Sequence, residues 1–326
     1  MKEILDFISR YSDFSIVSHR DPDGDCIGSS IALGRFLLGL GKTLRLYSPG
    51  PFNRFGIEDY EVFFDGRPFV CGPETGIIVL DCSTLDRIGH FARNLTGETA
   101  VIDHHSSGTP FGSARYIDAS APSTTYLVYR LMKEAGAHMD EETAQWLLFG
   151  LCTDTGFFRH LDAGSAGVFE AAAELAAAGA NPNKAYGTMF GGRTLSSRRL
   201  LGRLLDRTES CRDGRLLLTY ETLDDLRETL PGASGIRKAA AADRDSDTLY
   251  SLLQGVRHAE VVIFVREEGP GLLSAGLRSN NHLDVGAIAK SFGGGGHKKA
   301  AGLEYRGSLD ELKGLLKEAV LKLMED

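Results

Sequence analysis

The sequence lacks several features that would assign it at once to a class of protein. It has no apolar run long enough to span a membrane, and its first residues do not form a signal-peptide pattern. It has few cysteines, an odd number with no Cys-x-x-Cys pair: Cys26, Cys71, Cys82, Cys152 and Cys211. Such usage is typical of free thiols in a reducing compartment, so we expect a cytoplasmic protein with no membrane partner.

The chain also lacks an excess of positive charge. Its formal net charge is −8 at pH 7, which argues against a protein that coats long nucleic acids through a broad basic surface. An acidic protein can still act on a phosphate-containing substrate when bound divalent metals supply the local positive field. If this protein handles phosphates, we therefore expect it to hold metal.

The length and the order of apolar patterns indicate two domains. The chain has 326 residues, of which 42% are hydrophobic and 25% charged. In the first half, short apolar runs alternate with helical patterns: strands over 14–18, 44–47, 77–80 and 100–102, and helices over 28–40, 123–135, 140–152 and 163–178. This alternation predicts an α/β domain with a parallel sheet and helices on both of its faces.

The pattern changes near residue 181. An arginine-rich helix over 194–207 is interpreted as a connector, with its arginines on a solvated face: Arg198, Arg199, Arg203 and Arg207. Further strands over 215–220, 260–265 and 272–278, and a closing amphipathic helix over 309–324, predict a smaller α/β domain. The predicted boundaries are an N-terminal domain over 1–190, a connecting helix over 191–207 and a C-terminal domain over 208–326.

The first motif with chemical meaning directly follows the first predicted strand. His19, Asp23 and Asp25 lie on a turn that contains proline and glycine, and carboxylates that converge in this way are unfavourable without a cation. A calcium EF-hand loop does not fit, because Cys26 and Ala32 occupy the positions that need glycine and glutamate. The imidazole favours Mn²⁺, Zn²⁺ or Fe²⁺. An ordinary Asp-rich turn explains the motif equally well when it is taken alone.

More acids and imidazoles follow other predicted elements. Asp81 ends a predicted strand, Asp103, His104 and His105 follow another, and Asp154 closes a predicted helix. A single aspartate at the end of a strand is usually a turn or helix cap. Together with the first motif, however, these residues put five acids and three imidazoles at the edge of one sheet where ligands bind. The combination predicts a metal or phosphate site.

A glycine-rich stretch stands out in the second half, where four glycines precede His297 and Lys298. Consecutive glycines let backbone N–H groups approach an anion closely, and the two side chains add charge. The stretch is not a Walker A loop, because no Gly-Lys-Ser/Thr closes it. A flexible glycine turn is the simpler alternative.

Taken in order, the acidic and imidazole motifs resemble those of the DHH phosphoesterase superfamily: His19-x-x-x-Asp23-x-Asp25, Asp81, Asp103-His104-His105 and Asp154. The stretch from Gly293 to Gly302 resembles the signature of the DHH-associated C-terminal domain, so the resemblance covers essentially the whole chain. The two-domain form is similar to the nano-RNases, exonucleases that degrade very short oligoribonucleotides and in many cases also dephosphorylate phosphoadenosine phosphate. The resemblance implies an active site in the cleft between the domains.

The resemblance also implies a role for each residue of the motifs, with two divalent metal ions, expected to be Mn²⁺, at the centre. The implied metal ligands are His19 and Asp23 for one ion, Asp25, His104 and Asp154 for the other, and Asp81 as a bridge between them. His105 would contact the scissile phosphate, and Asp103 would orient its neighbours. The implied substrate-binding residues are Arg278, Ser279, Gly294, Gly295, Gly296 and His297. One departure is Tyr126, at a position where relatives often have glutamate.

The implied reaction is in-line attack of a metal-activated water on the phosphorus of a short oligoribonucleotide or of phosphoadenosine phosphate. Two alternatives stay open. A sibling enzyme would hydrolyse linear dinucleotides such as pApA in cyclic-dinucleotide turnover. A protein of another class would be a non-catalytic nucleotide-binding regulator on the same scaffold. A homodimer is a further expectation.

Overall fold

The computed structural model describes residues 1–67, 72, 74–82, 84–95, 97–105, 108–109, 111–229 and 244–324. The chain divides into two compact units, Met1–Gly192 and Arg193–Asp326. Within the described residues, no helix is both long and apolar enough to cross a membrane. Four cysteines are free thiols, namely Cys26, Cys82, Cys152 and Cys211, whereas Cys71 lies outside the described residues.

The first unit alternates strands and helices along the chain. Its helices are α1 (Lys2–Arg10), α2 (Gly24–Gly39), α3 (Thr124–Glu134), α4 (Glu141–Asp154), α5 (Ala166–Ala177) and α6 (Pro182–Phe190). Its strands are β1 (Asp13–Val17), β2 (Thr43–Tyr47), β3 (Phe64–Asp65), β4 (Thr75–Leu80), β5 (Thr99–Asp103) and β6 (Ala114–Ile117). The described part of this unit also has two 3₁₀ segments, Glu58–Phe63 and Leu85–Asn94.

The six strands form one parallel sheet, which confirms the predicted fold class. Their order is β3-β2-β1-β4-β5-β6, and every neighbouring pair is parallel. The chain moves from β1 to β2 on one side and later returns to β4 on the other side of β1. This reversal makes the carboxyl ends of β1 and β4 a topological switch point, where open α/β sheets bind their ligands.

Apolar side chains cover both faces of this sheet. Residues that alternate along each strand, such as Ile16, Ile78 and Ile102, belong to a large core with α1 to α4. The residues between them, such as Val79, pack against Phe91 and its neighbours in the second 3₁₀ segment. Successive side chains of a strand point to opposite faces of the sheet. A strand of nearly continuous apolar residues is therefore buried on both faces.

The second unit also contains one six-stranded sheet. Its helices are α7 (Leu195–Asp206), α8 (Leu223–Thr229), α9 (Ser246–Gln254), α10 (Val285–Ser291) and α11 (Leu309–Leu323). Its strands are β7 (Glu209–Cys211), β8 (Leu216–Glu221), β9 (Val261–Gly269), β10 (Leu272–Ser279), β11 (Gly295–His297) and β12 (Ala300–Arg306). The order is β11-β12-β10-β9-β8-β7; only β8 and β9 pair in parallel among these described strands.

The arginine-rich helix α7 packs within the second unit. Its leucines join an apolar cluster with β8, β9 and α9. Arg207 forms two hydrogen bonds of 2.6 and 2.7 Å with Asp225, and Arg198 lies 2.6 Å from Asp245. Both carboxylates are nearly buried, so these two arginines neutralise buried charges, although the side chain of Arg198 stays 39% exposed to solvent. A buried carboxylate requires such a partner.

The glycine-rich stretch forms part of a β-hairpin. β11 pairs antiparallel with β12, and Lys298 and Lys299 lie between the two strands. A Cβ atom on Gly294 would come within 2.3 Å of the carbonyl oxygen of Gly302, and one on Gly296 within 2.5 Å of the Cα of Ala301. Close strand packing therefore explains these two glycines without any ligand. Gly295 differs, because its Cβ position is open.

Candidate metal centre

His19 follows β1 and points its Nε2 atom at two carboxylates. The residue is buried, and its Nδ1–H donates a 2.7 Å hydrogen bond to the carbonyl of Arg20. Because a carbonyl only accepts, this bond leaves the Nε2 lone pair free. Nε2 lies 3.2 Å from Oδ2 of Asp81 and 3.9 Å from Oδ1 of Asp23. The ring is thus oriented as a metal ligand would be.

Asp23 and Asp25 open helix α2. The Asp23 side chain caps the helix by accepting a 3.1 Å hydrogen bond from the amide of Cys26. Asp25 is fully buried and faces the start of α3, where the amides of Thr124 and Thr125 donate hydrogen bonds of 2.7 and 2.8 Å to its two oxygens. The Thr125 hydroxyl is also hydrogen-bonded to Asp25. A helix N-terminus favours an anion, which explains how this carboxylate is held.

Asp81 follows β4 and directs its two carboxylate oxygens to different neighbours. Its backbone is left-handed, with φ 55°, a region in which aspartate is enriched among non-glycine residues. Oδ2 faces His19 at 3.2 Å, whereas Oδ1 accepts a 3.0 Å hydrogen bond from the Thr124 hydroxyl and lies 3.6 Å from Nε2 of His104. Asp81 therefore stands between two sets of donors.

His104 and Asp154 form the side of the cluster opposite His19. The Nδ1–H of His104 donates to the carbonyl of Ala121 at 3.3 Å, so its Nε2 faces inward as that of His19 does. This Nε2 lies 3.1 Å from Asp154 and 4.0 Å from Asp25. Asp154 is the last residue of α4, where a carboxylate is disfavoured by the helix dipole unless a cation is near.

His105 and Asp103 form a pair beside this cluster. Nδ1 of His105 donates a 2.7 Å hydrogen bond to Oδ1 of Asp103, and it lies 3.7 Å from Asp81. The buried Oδ2 of Asp103 has no hydrogen-bond partner among the described residues. Since its Nδ1 is engaged, His105 has Nε2 as the ring atom available to another group.

Close packing of α2 against α4 brings the ligands of these helices together. A Cβ atom on Gly24 would lie 2.3 Å from the methyl carbon of Thr153, and one on Gly150 would lie 3.1 Å from the carbonyl oxygen of Gly24. Only residues without a side chain allow two helices to approach so closely. Asp25 directly follows Gly24, and Asp154 directly follows Thr153. The close contact between the helices therefore sets the distance between the two carboxylates.

The donor set fits divalent cations. Three groups have ligand atoms within 4.8 Å of one another: His19 with Asp23 and Asp81, Asp25 with His104 and Asp154, and Asp81 with His104 and His105. Burial, followed by the charges of Asp154 and Asp81, raises the pKa of Asp25 well above its usual range. Such repulsion is relieved by a cation, and mixed imidazole and carboxylate donors suit Mn²⁺, Fe²⁺ or Zn²⁺.

Sequence reasoning missed the two threonines that hold the carboxylates. Thr124 and Thr125 begin α3 after Ser123, whose hydroxyl caps the helix at the amide of Tyr126. The Ser-Thr-Thr run was a signal of a helix start. It gave no indication that the amides would face Asp25, about a hundred residues earlier in the chain. Tyr126 itself packs against the core of the first unit.

The candidate substrate-binding residues all lie in the second unit, whereas the three donor groups all lie in the first. The guanidinium of Arg278 stacks 4.3 Å from the ring centre of Tyr250. Both line a cavity of about 380 Å³, together with Arg266, Gly295 and Gly296. Ser279 is buried, and His297 is exposed at the end of β11.

Two family models match the chain. Residues 13–151 match the N-terminal domain of the DHH family, and residues 233–325 match the DHHA1 domain. A curated relative from Thermus thermophilus, named bifunctional oligoribonuclease and PAP phosphatase NrnA, is 32% identical over 94% of this chain and 88% of its own length. The chain belongs to the DHH family. The resemblance drawn from the motifs is thereby confirmed.

Two solved structures share the fold of this chain. An exopolyphosphatase-related protein from Bacteroides fragilis superposes with a TM-score of 0.83 at 24% identity, covering 98% of this chain and 95% of that chain. A RecJ exonuclease, solved bound to manganese, gives a TM-score of 0.54 at 13% identity and covers 100% and 94% of the two chains.

Proposed function

We propose that this DHH protein is a two-metal phosphoesterase that hydrolyses short oligoribonucleotides, and phosphoadenosine phosphate, to mononucleotides. The observation that carries the two-metal part is the geometry of Asp81. One of its oxygens faces His19, and the other faces His104. A carboxylate that serves two donor groups at once is suited to bridge two cations.

His19 and Asp23 would hold one ion, and Asp25, His104 and Asp154 the other. The donor types support Mn²⁺ as the metal. Divalent ions at such a centre supply Lewis acidity and lower the pKa of a bound water toward about 7. The chain contributes the orientation of the donors: backbone carbonyls hold both imidazoles with Nε2 inward, and the start of α3 holds Asp25.

His105 is assigned to the substrate and not to a metal ion. Its Nδ1 is engaged with Asp103 at 2.7 Å, so its Nε2 is the atom that would face a phosphate oxygen and, in the imidazolium form, donate a hydrogen bond to it. Asp103 orients the ring and stabilises it when both nitrogens carry protons. A hydrogen bond of this kind strengthens as charge develops on the phosphoryl oxygens, which is how it would accelerate the reaction.

Short oligoribonucleotides and phosphoadenosine phosphate are inferred from the Thermus thermophilus relative, whose name describes both activities. The net charge of −8 supports short substrates over long polyanions. In the second unit, the residues that would bind the end of the substrate away from the reacting phosphate are Arg278, Ser279, Gly294 and the β11 residues Gly295, Gly296 and His297. The cavity beside Arg278, about 380 Å³, suits one nucleotide-sized group.

We propose a cytoplasmic location, and the free thiols of the four described cysteines support it. A homodimer is part of the proposal and is tested by light scattering of the purified protein.

A substrate panel tests the proposal. RNA and DNA of two to about twenty nucleotides, pApA, phosphoadenosine phosphate and pyrophosphate are assayed with Mn²⁺ and with excess chelator. Hydrolysis of two- to five-residue RNA should be fastest and should stop on chelation. Faster degradation of twenty-residue strands would replace the proposal with a role on long strands. A strong preference for pApA would favour dinucleotide turnover, and nucleotide binding without hydrolysis would favour a regulator.

A further inference from the structure

Arg54 lies at the edge of the metal centre, outside the motifs that the sequence analysis identified. Its Nη1 lies 3.3 Å from Oδ2 of Asp23. The other oxygen of the same carboxylate, Oδ1, lies 3.9 Å from Nε2 of His19. One oxygen of the Asp23 carboxylate thus faces the guanidinium of Arg54, and the other faces His19 in the first candidate metal position.

The backbone around Arg54 is anchored on both sides. Phe52 and Ile57 are buried in an apolar cluster with side chains of α2 and α4. The amide of Ile57 donates a 3.0 Å hydrogen bond to the carbonyl of Arg54. Gly56 adopts a positive φ of 73° and packs against the backbone of α6. The turn therefore holds Arg54 beside the centre, while the side chain itself is 54% exposed.

Stability alone does not explain this arrangement. An exposed ion pair with one contact contributes little to folding, because water screens it and both side chains lose freedom. A guanidinium, in contrast, presents a planar fork of donors that matches the oxygens of a phosphate. When a cation shares the charge of Asp23, the attraction between Asp23 and Arg54 falls, and the guanidinium becomes available to a second anion.

We propose that Arg54 is a phosphate-binding residue that donates hydrogen bonds to non-bridging oxygens of a phosphoryl group at the metal centre. The identity of that group as part of an oligoribonucleotide rests on the proposed function. In the metal-free protein the same guanidinium competes with the metal ion for Asp23. Arg54 thus has opposite effects on the two ligands, since it favours the phosphate and disfavours the first cation.

Two titrations by calorimetry test this on the full chain. Inorganic phosphate is titrated into Mn²⁺-loaded protein, and Mn²⁺ is titrated into metal-free protein. Arg54→Ala should weaken phosphate binding by about 10- to 100-fold, the range for a lost hydrogen bond to a charged group. It should leave Mn²⁺ affinity equal to or higher than that of the wild type. Arg54→Lys keeps the positive charge but loses the planar fork of donors. Its phosphate affinity should lie between those of the wild type and Arg54→Ala.

Arg67→Ala is the matched control, because Arg67 is also an exposed arginine of the first unit, paired at 2.7 Å with a carboxylate outside the donor groups. It should change neither titration. Unchanged phosphate binding in Arg54→Ala would overturn the proposal, as would a loss of Mn²⁺ binding, which would mean that Arg54 only holds Asp23 in place. If the wild type binds phosphate through Arg54 but does not cleave oligoribonucleotides, the phosphate-binding role of Arg54 is supported and the proposed substrate is wrong.

Discussion

Gly28 in α2 lies so close to Gly150 in α4 that a Cβ atom on Gly28 would stand 3.0 Å from the backbone nitrogen of Gly150. The same atom would stand 2.6 Å from the carbonyl oxygen of Trp146. Both obstacles are backbone atoms, which cannot move aside as a flexible side chain can. Since Asp25 lies in the first turn of α2 and α4 ends with Asp154, the separation of the helices also sets the geometry of the metal centre.

We expect Gly28→Ala to destabilise the first unit by about 1–3 kcal/mol, the usual cost of overpacking, and to weaken Mn²⁺ binding. Thermal denaturation and metal titration of the full-length protein measure the two effects. Gly34→Ala is the matched control on the same helix, because the three atoms nearest to its Cβ would belong to leucine side chains, the closest at 3.4 Å. That variant should be neutral or more stable by up to about 1 kcal/mol, since alanine favours a helix over glycine. Equal stability and equal Mn²⁺ affinity of Gly28→Ala and Gly34→Ala would contradict the role assigned to the contact between α2 and α4.

Asp81→Asn tests the bridging role. Asparagine keeps the shape of the side chain but removes the charge that two cations would share, so we expect near-complete loss of activity and loss of metal from both positions. Asp23→Asn should cost less, because Asp23 belongs to one donor group only. Elemental analysis of the purified variants gives metal per chain, and dinucleotide hydrolysis gives the activity. Asp65→Asn, at a surface ion pair, is the control. Retention of two ions per chain by Asp81→Asn would argue against the bridge.

Asp140 caps α4, and its contribution to stability should depend on pH. Hydrogen bonds from Thr143 lower the pKa of Asp140 to about 2, with the partly exposed Arg35 adding to the effect. Because this folded-state pKa lies below the unfolded value of about 3.9, the ionised cap stabilises the fold above that value, and its contribution is lost as pH falls from about 4 to about 2.

Asp140→Ala should therefore lower stability by about 1 kcal/mol at pH 7. The difference between wild type and variant should shrink when both are unfolded at about pH 3. Urea denaturation at the two pH values makes the comparison. Asp140→Asn retains a side-chain oxygen that can cap the helix, so it should lose less stability at pH 7 than Asp140→Ala does. A difference that stays constant with pH would show that the charge of the cap contributes nothing.

The sequence predicted the sheet of the first unit chiefly because β1, β4 and β5 are nearly continuous apolar runs, as is typical of strands covered on both faces. It also predicted that polar residues after those strands would meet at one edge. Strand β6 was missed, since Ala114–Ile117 is only partly buried and carries no such run. Strand β11 was missed because glycine disfavours strands, and these residues are recognised as a strand only from their pairing with β12.

The parts of the centre that escaped prediction are those made by distant backbone groups. The amides that bind Asp25 come from Thr124 and Thr125, and every residue type except proline offers a backbone N–H, so the sequence carries no specific signal for them. Likewise, nothing in the sequence around Gly28 and Gly150 indicates that the two helices touch at these residues. Side-chain chemistry was readable from the motifs, whereas the packing that orients it depends on the tertiary fold.

Arg278→Ala and His297→Ala test the division of labour between the two units. Both residues lie in the second unit, and the donor groups lie in the first, so metal content should stay at the wild-type level. Loss of a charged substrate contact commonly costs about 2–5 kcal/mol, so dinucleotide hydrolysis should fall steeply. Hydrolysis of bis-p-nitrophenyl phosphate should fall much less, because this minimal ester has little for the second unit to bind.

Arg227→Ala is the matched control for these variants, since Arg227 is an exposed arginine of the second unit whose ion pair with Asp224 lies away from the Arg278 cavity. It should leave both substrates unaffected. Arg278→Lys separates charge from stacking, because lysine keeps the charge but loses the planar contact with Tyr250. If either alanine variant loses metal, or loses activity equally on both substrates, the second unit contributes to the chemical step itself. Substrate binding would then no longer be a sufficient account of Arg278 and His297.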